Sequence, residues 1–209
     1  MHNIHTIFFA SSNREKVREA SAILSPLDID LLTPEDMKGF VPPEETGSTF
    51  LENARIKARE GFRVSGKPTF AEDAGLEVAE LDGEPGVFSS RYKGDIPQKE
   101  KNMDIIRRLD SLPRAERRAR FHAVIVFYCG ETGSPLEIVA EGLCYGRISR
   151  SPVGTNGFGY DPIFTVPELS RTFGELPADV KNRISHRRNA LEVLKQRLAL
   201  LANLQGAET

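Results

Sequence analysis

Cysteine is scarce in this chain: Cys129 and Cys144 are the only two among 209 residues. Their spacing fits neither a redox pair nor a zinc knuckle, and no cysteine framework points to an oxidising compartment. Each falls in a strand-like run, where a reduced, inert residue is the plain reading, and a cytoplasmic setting is expected. Long apolar runs are missing as well, so no segment reaches the length of a membrane span. The opening MHNIHTIFFASSN lacks a basic leader region and reads as a first strand rather than a signal peptide. Charge of one sign is also absent. A formal net charge of −2 argues against a broad grip on nucleic acid, which needs a basic footprint. There is no GxxxxGK[ST] segment and hence no P-loop, and no internal repeat, low-complexity tract or flexible linker. The partners expected from these absences exclude both nucleic acid and membrane.

What remains is ordinary globular material, with 39% hydrophobic and 28% charged residues, enough for one domain or one two-lobed unit. HTIFFA reads as a buried strand. From Asn13 a helical period places Val17, Ala20, Ile23 and Leu24 on one face, and Pro26 lies just beyond its end. DIDLL suggests a second strand. The Pro-, Gly- and acid-rich stretch from Pro34 to Ser48 reads as loop. Ser48 is placed to cap a helix carrying Phe50, Leu51, Ala54, Ala58 and Phe62, broken at Gly66-Lys67-Pro68. TFA is then a short strand ending on Glu72 and Asp73. A helix near Gln98 to Leu109 follows an irregular segment. RARFHAVIVFYCG and LEIVAEGLCYGRI read as long strands joined by ETGSP. From Ala178 on the chain reads as helix, with Leu191, Leu194, Leu198 and Leu201 as one stripe. Strand–helix units around a central hairpin predict an α/β fold with a mixed sheet.

Several groups suit chemistry. At the first strand–helix junction, Ser11, Ser12 and Asn13 offer donors where free N–H groups and the helix dipole favour an anion, and Lys16 sits one turn in. Ordinary N-capping with a solvated Lys16 explains the same residues. Glu44 and Glu45 lie in a loop, with Lys57 on the helix after it; each has a plain surface reading. Glu72 and Asp73 are harder to set aside, because carboxylates on a core strand are costly to desolvate unless paired or metal-bound. Mg²⁺ is held by one or two carboxylates, water and substrate phosphates, and an Asp, a loop Glu and a triphosphate would complete such a site. The loop GTNGFGYDP brings backbone close to a ligand. Phe158 or Tyr160 offers a ring face and Asp161 an acceptor for a base edge. Lys181, His186, Arg187 and Arg188 cluster near the start of the terminal helix, where basic residues oppose the dipole unless they face an anion or carbonyl.

These segments resemble the inosine/xanthosine triphosphate pyrophosphatase family, the Ham1-like nucleotide hydrolases. The matching stretches are SSNREKVRE, EETGSTFLENARIKA, FAEDAGLEV, PGVFSSRY, ARFHAVIV, GTNGFGYDPIF, FGEL and KNRISHRRNAL, in the family's order along nearly the whole chain. The resemblance implies a single domain over residues 1–209, a long mixed twisted sheet flanked by helices, in two lobes with a central cleft. It implies Mg²⁺-dependent hydrolysis of ITP, dITP and XTP to the monophosphate and pyrophosphate, by a homodimer. By position, Ser11, Ser12, Asn13, Arg14, Glu15, Lys16 and Lys57 would hold phosphates. Glu45 and Asp73 would hold metal with Glu72 in support, and Asp73 would accept the proton of the attacking water. Ala74, Phe158, Gly159, Tyr160, Asp161, Lys181, His186 and Arg187 would take the base and its neighbours. Donors from Arg187 and the loop suit an oxygen at C6 and leave an adenine amino group without a partner. Two positions depart from the family: Ser11-Ser12 replaces Thr-Gly, and Ala74 replaces a Ser or Thr. Maf-like pyrophosphatases acting on modified nucleotides and a non-catalytic nucleotide sensor are the alternatives. The pair Glu45 and Asp73 argues against the sensor.

Overall fold

A computed structural model describes residues 4–27, 29–131 and 133–206, the last six of these by backbone alone. Three parallel strands open the fold: β1 (Thr6–Phe9) lies between β2 (Asp30–Leu32) and β3 (Thr69–Val78), with Phe8 opposite both Leu32 and Thr69. Helix α1 (Arg14–Leu24) links β1 to β2, and α2 (Phe50–Ser65) links β2 to β3. Right-handed crossovers to opposite sides of β1 put these two helices on opposite faces. The sheet continues through β4 (Arg118–Glu131), β5 (Ser134–Ile148), β6 (Phe164–Val166) and β7 (Arg171–Thr172), in the order β2-β1-β3-β4-β5-β6-β7. The β5–β6 and β6–β7 pairs are antiparallel, so the sheet is mixed, as expected.

The helices begin and end where local chemistry directs. Asn13 caps α1, its side-chain oxygen accepting from the N–H groups of Glu15 and Lys16. Thr49 and Glu52 form a capping box on α2, and Gly66 closes it in the left-handed region at φ 62°. The cap is thus Thr49, one residue after the expected Ser48, whose hydroxyl instead donates to Glu52. Helix α3 (Gln98–Asp110) buries Ile105, Ile106 and Leu109, roughly 2 kcal/mol each by removal from water.

The chain divides into two compact units. One comprises Met1–Asp73, Ala123–Gly142 and Arg187–Thr209; the other Ala74–His122 and Leu143–His186. The first has a core of Phe8, Phe40, Ala54, Ala58, Phe62, Val126 and Tyr128. The second packs Leu76, Ile105, Leu109, Phe121, Phe164 and Phe173.

Three expectations change. The strand holding the acid pair does not end there: β3 runs ten residues and carries Glu72 and Asp73 in its middle. Apolar Leu76 and Val78 beyond the acids keep it in the sheet. The terminal segment is two helices, α4 (Ala178–Ile184) and α5 (His186–Gly206), because Ser185 is extended at ψ 153°. Strand β7 carries no apolar run and is absent from the sequence reading. Leu191 and Leu194 are fully buried and Leu198 partly so, whereas the side chain of Leu201 lies outside the described residues.

Candidate active site

Adjacent residues on a strand point to opposite faces, and the acid pair is divided accordingly. Asp73 meets α2: Lys57 Nζ donates to its Oδ1 at 2.9 Å and Asn53 Nδ2 donates to its Oδ2 at 3.2 Å. Lys57 also reaches Glu45 Oε1 at 2.6 Å, so two carboxylates share one ammonium. That sharing explains the proton affinities. Burial lowers the affinity of Lys57, but Asp73 and Glu45 together outweigh it and hold the amine above its usual value. Burial raises the Asp73 carboxyl above its usual value, and the shared ammonium offsets this only in part. A carboxylate of raised basicity suits proton acceptance.

Glu72 faces the other way. Its two oxygens accept from Arg187 Nε at 2.7 Å and Nη2 at 2.9 Å, a bidentate pair, and Lys16 Nζ stands 3.3 Å from Oε1. Arg187 Nη1 pairs with Glu19, itself buried on α1. Arg187 is 1% exposed, and the two acids raise its proton affinity despite burial. Arg187, expected near the base, pairs here with Glu72 and Glu19, because a cation this deep needs carboxylate partners. Burial lowers the Lys16 amine, partly countered by Glu72.

At the junction Ser11 to Lys16, the capping arrangement is present. Ser11 Oγ accepts from Asn13 N–H at 3.3 Å, and the Asn13 side chain covers the N–H groups of Glu15 and Lys16. Ser12 and Arg14 are exposed, Arg14 pairing with Glu35 at 3.2 Å, while Glu15 pairs with Arg18.

In the second unit, Asp161 organises the glycine-rich loop. Its Oδ2 accepts from Phe158 N–H at 2.8 Å and from Lys181 Nζ at 2.6 Å. Lys181 Nζ stands 4.8 Å from the centre of the Phe158 ring. Gly157 must be glycine, since φ is +71° and a Cβ would fall 2.0 Å from Asp161 Oδ2. Of the two rings expected to stack on a base, Tyr160 is committed elsewhere: it is buried, and its hydroxyl donates to the Ser89 carbonyl at 2.8 Å. Phe158 is the half-buried one. The Gly159 carbonyl accepts from Asn102 at 3.2 Å. His186 stacks on Phe121 with centroids 4.7 Å apart. Ala74 follows Asp73 on β3 and is half-buried.

Asn53 and Glu19, both buried beside the partners of the acid pair, are not among the residues the sequence singles out. A signal existed for Asn53: it lies four residues before Lys57, on the same helix face. Glu19 carries a similar mark, three residues after Lys16 on one face of α1, but its partner Arg187 lies 168 residues away in sequence.

The donor set fits a small divalent cation. Glu45 and Asp73 converge on one ammonium with an excess of negative charge. Among the described residues no three metal-binding side chains cluster. Two carboxylates with water and phosphate oxygens completing the shell is how Mg²⁺ is bound.

Residues 7–197 match the model of the Ham1 family. A dITP/XTP pyrophosphatase of Shigella flexneri is 43% identical over 189 residues, covering 90% of this chain and 95% of that protein. One from Haemophilus influenzae is 42% identical over 193 residues, covering 92% and 98%. A solved HAM1 protein from Coxiella burnetii superposes with a TM-score of 0.84 at 41% identity, covering 95% of this chain and 98% of that one. Similarity of this extent, in sequence and in the mixed sheet alike, makes the chain a member of the Ham1 family.

Proposed function

We propose that this chain hydrolyses deaminated purine nucleoside triphosphates, dITP, XTP and ITP, to the monophosphate and pyrophosphate, and so cleanses the nucleotide pool. The observation that carries the reading is Asp73: a buried carboxylate of raised basicity, gripped on both oxygens and set beside Glu45, in a family member whose relatives bear the name dITP/XTP pyrophosphatase.

Asp73 accepts the proton of the attacking water. Lys57 orients Asp73 and Glu45 and takes up phosphate charge as the triphosphate enters. Glu45 and Asp73 would hold Mg²⁺, which when bound would offset the phosphate charge and lower the pKa of water. Lys16, held by Glu72, and the N–H groups of Ser12 and Arg14 at the helix start receive phosphate oxygens, with Ser11, Asn13 and Glu15 shaping the turn. Arg187 anchors Glu72 and through it Lys16. Phe158 lies against the base, while Gly159, Tyr160 and Ala74 contribute backbone groups. Lys181 and His186 donate to the base oxygens, with Asp161 fixing Lys181 in place. The chain acts as one domain over 1–209, as a homodimer, in the reducing cytoplasm, consistent with free, buried Cys129 and Cys144.

The test is pyrophosphate release from ITP, XTP, dITP, ATP, GTP and dTTP, with and without Mg²⁺. Fast, Mg²⁺-dependent release from the deaminated purines alone is expected. Equal rates on all six would refute the base selectivity, and binding without turnover would favour a sensor.

A further inference from the structure

We infer that Asn53 is a positioning residue that aims the Asp73 carboxylate and ties it to the loop carrying Glu45. Asn53 is fully buried, on the second turn of α2. Its amide works in both directions. Oδ1 accepts from Gly47 N–H at 2.8 Å, and Nδ2 donates to Asp73 Oδ2 at 3.2 Å. Gly47 lies two residues after Glu45, so one side chain fixes the loop and the base together. Four residues on, Lys57 repeats the pattern, binding Glu45 and Asp73 Oδ1. The two helix residues thus hold one oxygen of Asp73 each, which sets the rotation of its carboxylate plane.

Only an amide suits this position. A carboxylate there would keep the Gly47 contact but repel Asp73, and an apolar side chain would leave the half-buried Gly47 N–H without this acceptor. Gly47 is shaped to the contact: a Cβ on it would fall 2.7 Å from Asn53 Oδ1 and 2.6 Å from Glu52 Cβ. Groups that hydrogen-bond a catalytic or metal-binding carboxylate commonly govern activity by about 10–100-fold.

This inference rests on Asp73 being the proton acceptor, and the experiment separates the two. The variants are Asn53→Asp, Asn53→Ala, Gly47→Ala, Asp73→Asn and the double variant Asp73→Asn/Asn53→Ala. Each is measured for kcat on dITP, for binding of a non-hydrolysable dITP analogue by calorimetry, and for melting temperature. Asn53→Asp and Asn53→Ala are expected to lower kcat by about 10–100-fold with analogue affinity little changed. In the Asp73→Asn background, Asn53→Ala is expected to lower kcat no further, because its effect runs through Asp73.

Wild-type kcat in Asn53→Asp would overturn the proposal, since that variant keeps the loop contact while replacing the donor to Asp73 by a repelling carboxylate. An equal loss in the Asp73→Asn background, or a matching loss of analogue affinity, would do the same. If the Asn53 variants do not fold, Gly47→Ala in its half-exposed loop decides: a fall in kcat with affinity kept supports the proposal, and wild-type kcat overturns it. Wild-type turnover in Asp73→Asn alone would instead sink the assignment of the base.

Discussion

At the scale of a residue, Asp73 faces opposed demands. As the proposed proton acceptor it must stay ionised, yet burial favours its neutral form. Lys57 resolves this in part, but it is shared with Glu45, so Asp73 stays more basic than a surface carboxylate. Asp73→Asn keeps the volume and removes the basicity. Its kcat is expected to fall at least about 100-fold, the usual range for a lost general base. Its melting temperature is expected at or above that of the wild type, because a costly buried charge is gone. Steady-state kinetics and calorimetry check both; an unfolded variant would mean that the carboxylate is structural. That an acid pair stands on a core strand was legible in the sequence. That the two acids serve separate helices was not, since the partners Lys57 and Arg187 lie far from one another in the chain.

At the scale of an element, the neighbouring strands β3 and β4 carry a polar cluster in the second unit. Glu77 on β3 meets His122 and Arg120 on β4, Arg120 Nε at 2.5 Å, and these two partners lower its carboxyl to about 2. A carboxylate with a depressed folded pKa stabilises the fold above its unfolded value and loses that contribution as pH falls through the folded one. Glu77→Gln is therefore expected to be less stable than wild type by about 1–2 kcal/mol near pH 7, discounted for partial exposure. The gap should close between about pH 4.5 and pH 2. Urea melts across that range test it, and a gap independent of pH would rule the ion cluster out. The glycine-rich loop offers a second test. Gly157→Ala drives a methyl group onto Asp161 Oδ2, the acceptor that holds both Lys181 and Phe158 N–H. The KM for dITP is expected to rise about tenfold with a smaller change in kcat. An unchanged KM would remove this loop from substrate binding.

At the scale of the whole molecule, β3, β4 and β5 each contribute residues to both compact units. A single cooperative thermal transition is expected, and two separate calorimetric peaks would show the units to be independent domains. Mg²⁺ with a non-hydrolysable dITP analogue should raise the melting temperature, by roughly 2.7 kcal/mol of added stability at a hundredfold excess over Kd. Chelation of the metal should abolish turnover and remove most of that shift. Sedimentation should give twice the chain mass for the homodimer. No helix among the described residues is long and apolar enough to cross a membrane.

The sequence by itself determined the parts that local chemistry decides. The caps at Asn13 and Gly66, the apolar periods of α1 to α3, the long strands β4 and β5, and the motif order that places the chain in its family all follow from near neighbours. The spacing of apolar residues is enough to choose helix or strand. Only the tertiary structure decided the rest, because it depends on contacts between distant residues. β3 continues past its acids since Leu76 and Val78 find a core there. Arg187 faces carboxylates rather than lying in the open because Glu72 and Glu19 flank it, 115 and 168 residues away in sequence. Tyr160 is withdrawn by a hydrogen bond to Ser89, whereas Phe158 stays half-buried. Asn53 gains its importance only when folding sets it against Asp73 and Gly47, since an amide on a helix has no visible task until its two partners are in place.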